Sequence, residues 1–508
     1  MFEKSAKGGS ELDAVIAAVK DLGVEAARLK FENHWRSALT DADMKFLTRS
    51  AHVNTIRLPI GYFTLGPQFC HKTPFSGKVA EVYTNAWSIA LSIISLCASN
   101  GIGVLIDFHA LPGGANKDDH SGTSADKAEL WKSSSNLSLA LKCLSFITNE
   151  VTMNPAVASG SITGIQVCNE AAWAAPGLYT FYDQAIETIS SIDPTIPIYI
   201  SDAWNLPECL SYTSRKNGLS NRSPSPPVII DTHKYYTFSD DHRSKSPEEI
   251  IQLVQDPSKA FKSLESYTGS VFDHSSAVAI FVGEYSVTLD TQTWSRTNSD
   301  RGELTKSFGQ TQSNLYNTHT LGSAYWSYKF DWGNHAPGPR GLVHTHGGDW
   351  GFRNQFDNQS ISPPALLETC NDKSQVLHTL NRVSQRKEDL QAQAYNAHVS
   401  YWDSTVANPD PDKPFHHYLY SQGYDLGFSD AATFFASSAT GLLPARPQAS
   451  NDSTFHSVSK IGSLDLWILK RMRESGTGKD KDYGGWEWEQ GFRKGVQDFE
   501  ALVLGGNY

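Results

Sequence analysis

The chain has 508 residues, with 43 Lys or Arg against 54 Asp or Glu, a net charge of −11. Such a chain lacks the basic footprint of a nucleic-acid binder, so the expected partner is uncharged or small. With 39% hydrophobic residues, 13 Trp, 20 Tyr and 24 Phe, and only 38 Gly and 23 Pro, it is neither collagen-like nor globally disordered and can fill a large core. No apolar run reaches the ~20 residues that span a bilayer; the segment from Ala86 to Ala98 comes nearest. The opening Met1-Phe2-Glu3-Lys4 has no apolar signal-peptide core, so a cytoplasmic chain is expected. Cys70, Cys97, Cys143, Cys168, Cys209 and Cys370 show neither CxxC nor zinc spacing and read as buried free thiols.

In chain order, Gly23–His34 reads as helix. Short, mostly apolar runs then recur at Asn54–Ile60, Gly103–His109, Ile162–Glu170, Pro197–Trp204, Val228–Tyr235, Val278–Tyr285 and Ser323–Phe330. They have the composition of strands buried on both faces of a parallel sheet. Helical patterns lie between them, among them Ala86–Ser99, Asn136–Glu150, Leu178–Ser191 and Gln310–Leu321. Strands alternating with helices imply βαβ units and right-handed crossovers. An open doubly wound sheet is the alternative, but no GxGxxG turn follows any strand, and no cofactor is expected.

The polar residues favour a barrel. His109, Asn169, Glu170, Trp204, His233 and Glu284 all fall at C-terminal strand ends, which a (β/α)8 TIM barrel gathers around one pocket. Seven strands rather than eight point to a barrel whose first strand is lacking or atypical. Pro/Ser/Asn-rich Thr213–Pro227 and Asp331–Pro364 read as loops bordering the pocket. Beyond Pro364 the chain turns helical at Glu388–Ser404, Phe415–Ala436, Ile461–Glu474 and Trp486–Leu504, with polar breaks at Asn408–Pro414 and Ala445–Ser453. The expected division is a barrel domain over 1–365, then the last barrel helix and a helical extension packed on the barrel over 366–508.

Glu170 and Glu284 each close an apolar run, at a depth where a carboxylate is costly unless paired or used. They lie three strands apart by this count. Opposing strands can aim two carboxyls across about 5–5.5 Å, the separation of retaining glycosidases. In that chemistry one carboxylate attacks the anomeric carbon. The other, its pKa raised by burial and by its neighbour, protonates the leaving oxygen and then deprotonates water. Salt bridges to Arg57 and Lys329 are the purely structural alternative.

The strings Arg57-Leu-Pro-Ile-Gly-Tyr62, Asp107-Phe-His-Ala-Leu-Pro-Gly-Gly114, Asn169-Glu170, Asp231-Thr-His-Lys-Tyr235, Gly283-Glu284-Tyr285 and Tyr325-Trp326 occur in that order. Together they resemble glycoside hydrolase family 5, in its fungal exo-β-1,3-glucanase-like branch. The tail, with Trp486-Glu-Trp-Glu-Gln-Gly-Phe492, is similar to an intracellular fungal subgroup of that branch. The resemblance implies Glu170 as acid/base, Glu284 as nucleophile, and Asn169 as donor to the sugar 2-hydroxyl. It implies Arg57 beneath the nucleophile, His109 and His233 in the glycone pocket, the Tyr235 hydroxyl near the nucleophile and Trp326 as an aromatic floor. Asn116, Asp118 and Asp119 fall in a loop whose acidic and amide groups bind glycone hydroxyls in the family.

The implied activity is that of a retaining, exo-acting β-glucosidase on β-glucan or β-glucosides, with no metal and no partner beyond the carbohydrate. The branch's first strand, with its Glu-Pro-Trp loop, has no counterpart in this chain. That departure implies two exposed barrel edges, lowered stability and a damaged sugar subsite. A glucoside-binding barrel that has lost its first strand and no longer hydrolyses is one alternative. A metal-dependent barrel hydrolase using His109, His120, His233 and Asp202 is another, but the paired histidines such sites use are missing.

Overall fold

Seven parallel strands lie side by side in chain order, and each is followed by at least one helix that carries the chain back to the start of the next. The computed structural model describes residues 2–504 apart from 156, 158–159, 222–224, 331–347, 363–372, 407–413, 439–462 and 478–483. The strands are β1 (Thr55–Gly61), β2 (Gly103–Ala110), β3 (Ile162–Gln166), β4 (Ile198–Ser201), β5 (Val228–Lys234), β6 (Ile280–Tyr285) and β7 (Ser323–Tyr325). They form a nearly closed parallel barrel: among the described residues no ladder joins β7 back to β1.

All seven predicted strands are present, but several stop short of the predicted end for a backbone reason. Glu170 has φ of 41°, and Ala203 and Trp204 have φ of 49° and 62°. Left-handed residues cannot continue an extended ladder, so β4 ends at Ser201 and the chain leaving β3, which ends at Gln166, turns away by Glu170. The loop expected to begin at Thr213 begins later, because helix Leu206–Lys216 runs through its first residues. Asn217 then ties that helix to the sheet, its amide donating to the carbonyls of Val228 and Ala277 at 2.8 and 3.0 Å. In the expected Asp331–Pro364 loop, helix Phe352–Asp357 occupies part of the described stretch, while 331–347 and 363–364 lie outside the described residues.

One stretch corrects the membrane expectation. Lys78–Ser99 is long and apolar enough to cross a bilayer by length and composition, with half of that stretch buried. Ala86, Ile89, Ala90, Ile94 and Cys97 are its buried face, and all but Ile89 belong to the barrel's hydrophobic core. Helix-on-sheet packing accounts for that apolarity.

Side-chain alternation along the strands separates two cores. Val104, Ile106 and Phe108 of β2 belong to the cluster shared with the surrounding helices. Leu105 faces the other way and joins Tyr199, Ile229 and Phe281 in a second cluster, which also holds Leu466, Trp467, Leu469, Trp488 and Phe492. The C-terminal helices Leu464–Ser475 and Gly485–Val503 therefore close the end of the barrel where the strands begin, leaving the C-terminal strand ends open. Helices His417–Ser438 and Gly485–Val503 touch backbone to backbone. A Cβ at Gly423, Gly427, Gly491 or Gly495 would lie 2.0–2.3 Å from a carbonyl oxygen of the facing helix.

Side chains bridge the open seam between β1 and β7. Asp43 accepts from Tyr328 Oη and Lys329 Nζ, both at 2.7 Å, and Phe46 packs on Tyr328, Phe352 and Phe356. Helices Glu11–Leu22 and Val24–Arg36 pack on each other and on Lys78–Val82, with Glu11 and Trp35 opposite β1. A side cleft of 330 Å³ remains there, walled by Glu11, Trp35, the β1 edge at Leu58–Gly61, and Trp326. The two edges expected of a seven-stranded barrel are thus bridged by side chains, and the β1 edge faces the side cleft. Cys70, Cys97, Cys143, Cys168 and Cys209 are free and buried, as expected.

Candidate active site

The inward-facing residues near the C-terminal ends of the strands form a buried polar layer around Arg57. Its guanidinium donates to Gln166 Oε1 at 2.9 Å, Glu284 Oε1 at 2.9 Å and Asn169 Oδ1 at 2.7 Å, and pairs with Asp107 Oδ2 at 3.0 Å. Burial works against the charge of Arg57, but Asp107, Glu284 and Asp231 more than offset it and push its pKa up. One buried fork thus fixes residues from three other strands, which a flexible ammonium could not do.

Two Asp-x-His pairs carry the next layer. Asp107 and His109 sit two apart on β2, and Asp231 and His233 two apart on β5, so each pair shares the inward face. His109 Nδ1 lies 2.7 Å from Asp107 Oδ2, and His233 Nε2 lies 3.1 Å from Asp231 Oδ2. Gln166 Nε2 donates to Asp231 at 2.6 Å, closing the ring. Gly283 is required opposite: a Cβ there would stand 1.9 Å from Asp231 Oδ1.

Glu170 and Glu284 face each other above this layer. His233 Nδ1 lies 2.7 Å from Glu170 Oε1 and 3.5 Å from Glu284 Oε2. One oxygen of each carboxylate and a ring nitrogen of His233 all fall within 4.8 Å of one another. Tyr235 Oη donates to Glu284 Oε2 at 2.8 Å. The proximity of Glu284 and burial keep that phenol protonated far beyond its ordinary range. Both Glu284 oxygens are therefore held by donors, one from Arg57 and one from Tyr235. The positive φ of Glu170 aims its carboxylate and belongs to the sparsely populated backbone states that cluster at functional sites.

The charge state of Glu170 departs from expectation. Burial raises its pKa, but hydrogen bonds and charge from His120 and His233 hold it well below the ordinary carboxylate range. His120 Nε2 stands 3.0 Å from Glu170 Oε2. Burial lowers the pKa of both histidines and the surrounding carboxylates raise it; the carboxylates win, most strongly for His233. The same contacts thus favour ionised Glu170 and protonated histidines.

Of the predicted residues, the fold brings together Arg57, His109, Asn169, Glu170, His233, Tyr235, Glu284 and Trp326. Trp326 lies parallel to the His109 ring, with centroids 5.6 Å apart. Asn116 is buried and donates to the backbone carbonyl of Glu170 at 2.9 Å, bracing that residue rather than facing the cavity. Asp119 is exposed, its carboxylate beside Gly9, while Asp118 and His120 line the cavity from that loop. The alternative ion pair of a catalytic carboxylate with Lys329 does not form, since Lys329 pairs with Asp43. Asp202, a candidate metal ligand, accepts from Thr232 at 2.6 Å, on another part of the barrel end. Glu170, His233 and Glu284 have ligand-like spacing, but Arg57, Tyr235 and His120 already occupy their oxygens, which opposes a cation there. Gln166, Asp107 and Asp231 are not singled out as site residues from sequence, and His120 only as a candidate metal ligand, although the repeated Asp-x-His spacing on two strands is a usable signal.

The layer opens into a cavity of 1070 Å³ rimmed by Trp204, Tyr235, Phe238, Trp326 and Trp350, at the upper end of the usual size for small-molecule sites. Tyr235, Phe238 and Trp350 contact one another, and Trp204 and Phe238 are exposed at the mouth.

A parallel barrel with a carboxylate pair at the C-terminal strand ends and an aromatic-rimmed cavity is the architecture of a glycoside hydrolase. The sequence pattern of the cellulases (glycosyl hydrolase family 5) matches residues 19–331, and that of the glucan 1,3-β-glucosidase 3 C-terminal domain matches residues 383–503. The chain belongs to glycoside hydrolase family 5. It is 29% identical to glucan 1,3-β-glucosidase 3 of Schizosaccharomyces pombe over 481 residues, covering 93% of this chain and 91% of the relative. It is 28% identical to an uncharacterized glycosyl hydrolase of Saccharomyces cerevisiae, covering 96% of this chain and 84% of that one. Among solved structures it is similar to the endoglucanase Cel5A of Pseudomonas stutzeri at 16% identity, with a TM-score of 0.38 over 66% of this chain and 86% of that one.

Proposed function

We propose that the protein is a retaining, exo-acting β-glucosidase that removes terminal β-linked glucose from β-glucan or from a β-glucoside. The observation that carries this reading is the facing of Glu170 and Glu284, with carboxylate oxygens within 4.8 Å. An approach this close favours the ~5–5.5 Å carboxyl separation of retaining enzymes over the ~6.5–9.5 Å of inverting ones. Glu284, fixed by Arg57 and Tyr235, attacks the anomeric carbon while Glu170 gives a proton to the departing oxygen. A glycosyl ester forms on Glu284. Glu170, now basic, takes a proton from water, which attacks the same carbon and releases glucose with its original configuration.

Glu170 obtains its proton from the neighbouring imidazoles as the leaving oxygen approaches, so the pair, rather than the carboxyl alone, is the acid. Asn169, its carbonyl oxygen turned to Arg57 and its amide nitrogen 3.4 Å from His109 Nε2, offers that amide to the sugar 2-hydroxyl. Trp326 supports the apolar face of the ring, and Trp204, Phe238 and Trp350 supply stacking surfaces for the group beyond the cleaved bond. The choice of a β-glucan, and the exo mode, rest on the likeness to the Schizosaccharomyces pombe glucan 1,3-β-glucosidase 3.

The test is azide rescue on an aryl β-glucoside. Glu284→Ala abolishes turnover, and azide restores cleavage with α-glucosyl azide as product. Cleavage by Glu284→Ala at the wild-type rate without azide refutes the assignment.

A further inference from the structure

Far from the sugar cavity, three C-terminal helices direct three ligand-type side chains to one point. His398 comes from Lys387–Thr405, His417 opens His417–Ser438, and Glu487 lies in the first turn of Gly485–Val503. The glycine-lined contact between the last two helices brings their N-terminal turns together. His398 Nε2 stands 3.0 Å and His417 Nδ1 2.9 Å from the same oxygen, Glu487 Oε2. Glu487 is fully buried, and its other oxygen accepts from the backbone N–H of His416. Among the described residues no Lys or Arg pairs with it.

Hydrogen bonding alone fits this arrangement only with His417 protonated on both ring nitrogens. His417 has a carboxylate oxygen at each ring nitrogen, Glu487 at Nδ1 and Asp403 Oδ1 at 3.3 Å from Nε2. A neutral imidazole has one N–H, so with His417 neutral one of those contacts sets lone pair against lone pair, and a bound cation between Nδ1 and Glu487 removes that conflict. Asp403, in solvent, orients the ring as an outer carboxylate orients a metal-bound histidine, leaving Nδ1 as the inward lone pair. The ring geometry agrees. Two imidazoles on a tetrahedral zinc, with Zn–N of about 2.1 Å, hold their centroids about 5.2 Å apart; those of His398 and His417 are 5.1 Å apart at 87°. Opening the two N···O contacts to the ~3.4 Å of tetrahedral ligands needs shifts of roughly half an ångström. Tyr420 stacked on His398, with Trp402 and Trp486 beside it, shields the point from water.

We propose that His398, His417 and Glu487 bind one divalent cation of the zinc class, with Asp403 as the outer partner of His417. The ion clasps the three helices behind the barrel and takes no part in sugar chemistry. Its fourth ligand is water from the side of His417, which is partly exposed.

The full-length protein, dialysed against EDTA, is titrated with Zn2+ by calorimetry, with Co2+ as a spectroscopic stand-in. Wild type is expected to bind one equivalent of Zn2+, to give the visible bands of tetrahedral Co2+, and to melt at a higher temperature when loaded. His417→Ala and His398→Ala lose the binding. Asp403→Asn, a surface change that leaves the core intact, weakens it by about 10–100-fold. Glu284→Gln binds as wild type does, which separates this site from the carboxylates of the sugar cavity. No stoichiometric binding by wild type at millimolar Zn2+, unchanged binding in Asp403→Asn and His417→Ala, or loss of binding in Glu284→Gln would each overturn the proposal. The first of these results would mean that His417 is an imidazolium between two carboxylates.

Discussion

Replacing Arg57 by Lys keeps the charge and removes the fork. In the native layer the guanidinium bonds Glu284, Asn169 and Gln166 at 2.7–2.9 Å and pairs with Asp107 at 3.0 Å. An ammonium offers one donor centre and reaches one of the two carboxylates. A hydrogen bond to a charged group contributes about 1.5–3 kcal/mol. If the lost bond is the one that fixes Glu284, and each factor of ten in rate is about 1.4 kcal/mol, kcat falls by about 10–150-fold. Asn169 and Gln166 also lose their donor while buried, so the melting temperature falls by several degrees. Arg57→Met goes further, leaving Asp107 and Glu284 without a cation, at a cost of about 3–5 kcal/mol. Initial rates on an aryl β-glucoside and thermal melts followed by circular dichroism read both effects. Wild-type kcat in Arg57→Lys, together with a wild-type melt in Arg57→Met, would show that the guanidinium is not the hub of this layer.

Other expectations are more local. His120→Ala removes a donor and charge that hold the Glu170 carboxyl low, so the alkaline limb of the kcat/KM pH profile moves to higher pH; an unmoved limb contradicts that role. Asp43, pushed up by burial but held down by Lys329, Thr40 and Tyr328, titrates at about 2 rather than 3.8. A depressed carboxyl stabilises the fold above its unfolded pKa and loses that contribution as pH falls through the folded one. Asp43→Asn should therefore lower stability by about 1–2 kcal/mol at neutral pH, and the gap from wild type should close as pH approaches 2; a constant gap in denaturant titrations refutes it. Gly283→Ala drives a methyl into Asp231 and should destabilise by about 1–3 kcal/mol while lowering kcat/KM; unaltered melting and kinetics would show that Asp231 moves aside freely.

Much of this arrangement was legible in the residues, for identifiable reasons. Strands buried on both faces give apolar runs that end where the polar layer begins, so Glu170 and Glu284 could be placed on facing strands before any coordinates. Three features were not legible. The charge state of Glu170 depends on two imidazoles, His233 of β5 and His120 of the loop after β2, and a local view of burial gives the opposite sign. His120 and Asp119 are adjacent in sequence, and only the fold of the loop turns the first toward Glu170 and the second toward Gly9. The seam was foreseen as an open edge, whereas Asp43 and Phe46 cross it to Tyr328 and Lys329 over a separation of more than 280 residues. The C-terminal His398, His417 and Glu487 are likewise too far apart in the chain for spacing to reveal them.

The most direct measurement is to trap the intermediate. Incubation with 2-deoxy-2-fluoro-β-D-glucosyl fluoride, followed by peptic digestion and mass spectrometry, should place a single fluoroglucosyl group on the peptide that carries Glu284, with loss of activity in step. An adduct on any other residue, or rapid release of α-glucose from the fluoride without an adduct, would contradict a nucleophile held by Arg57 and Tyr235.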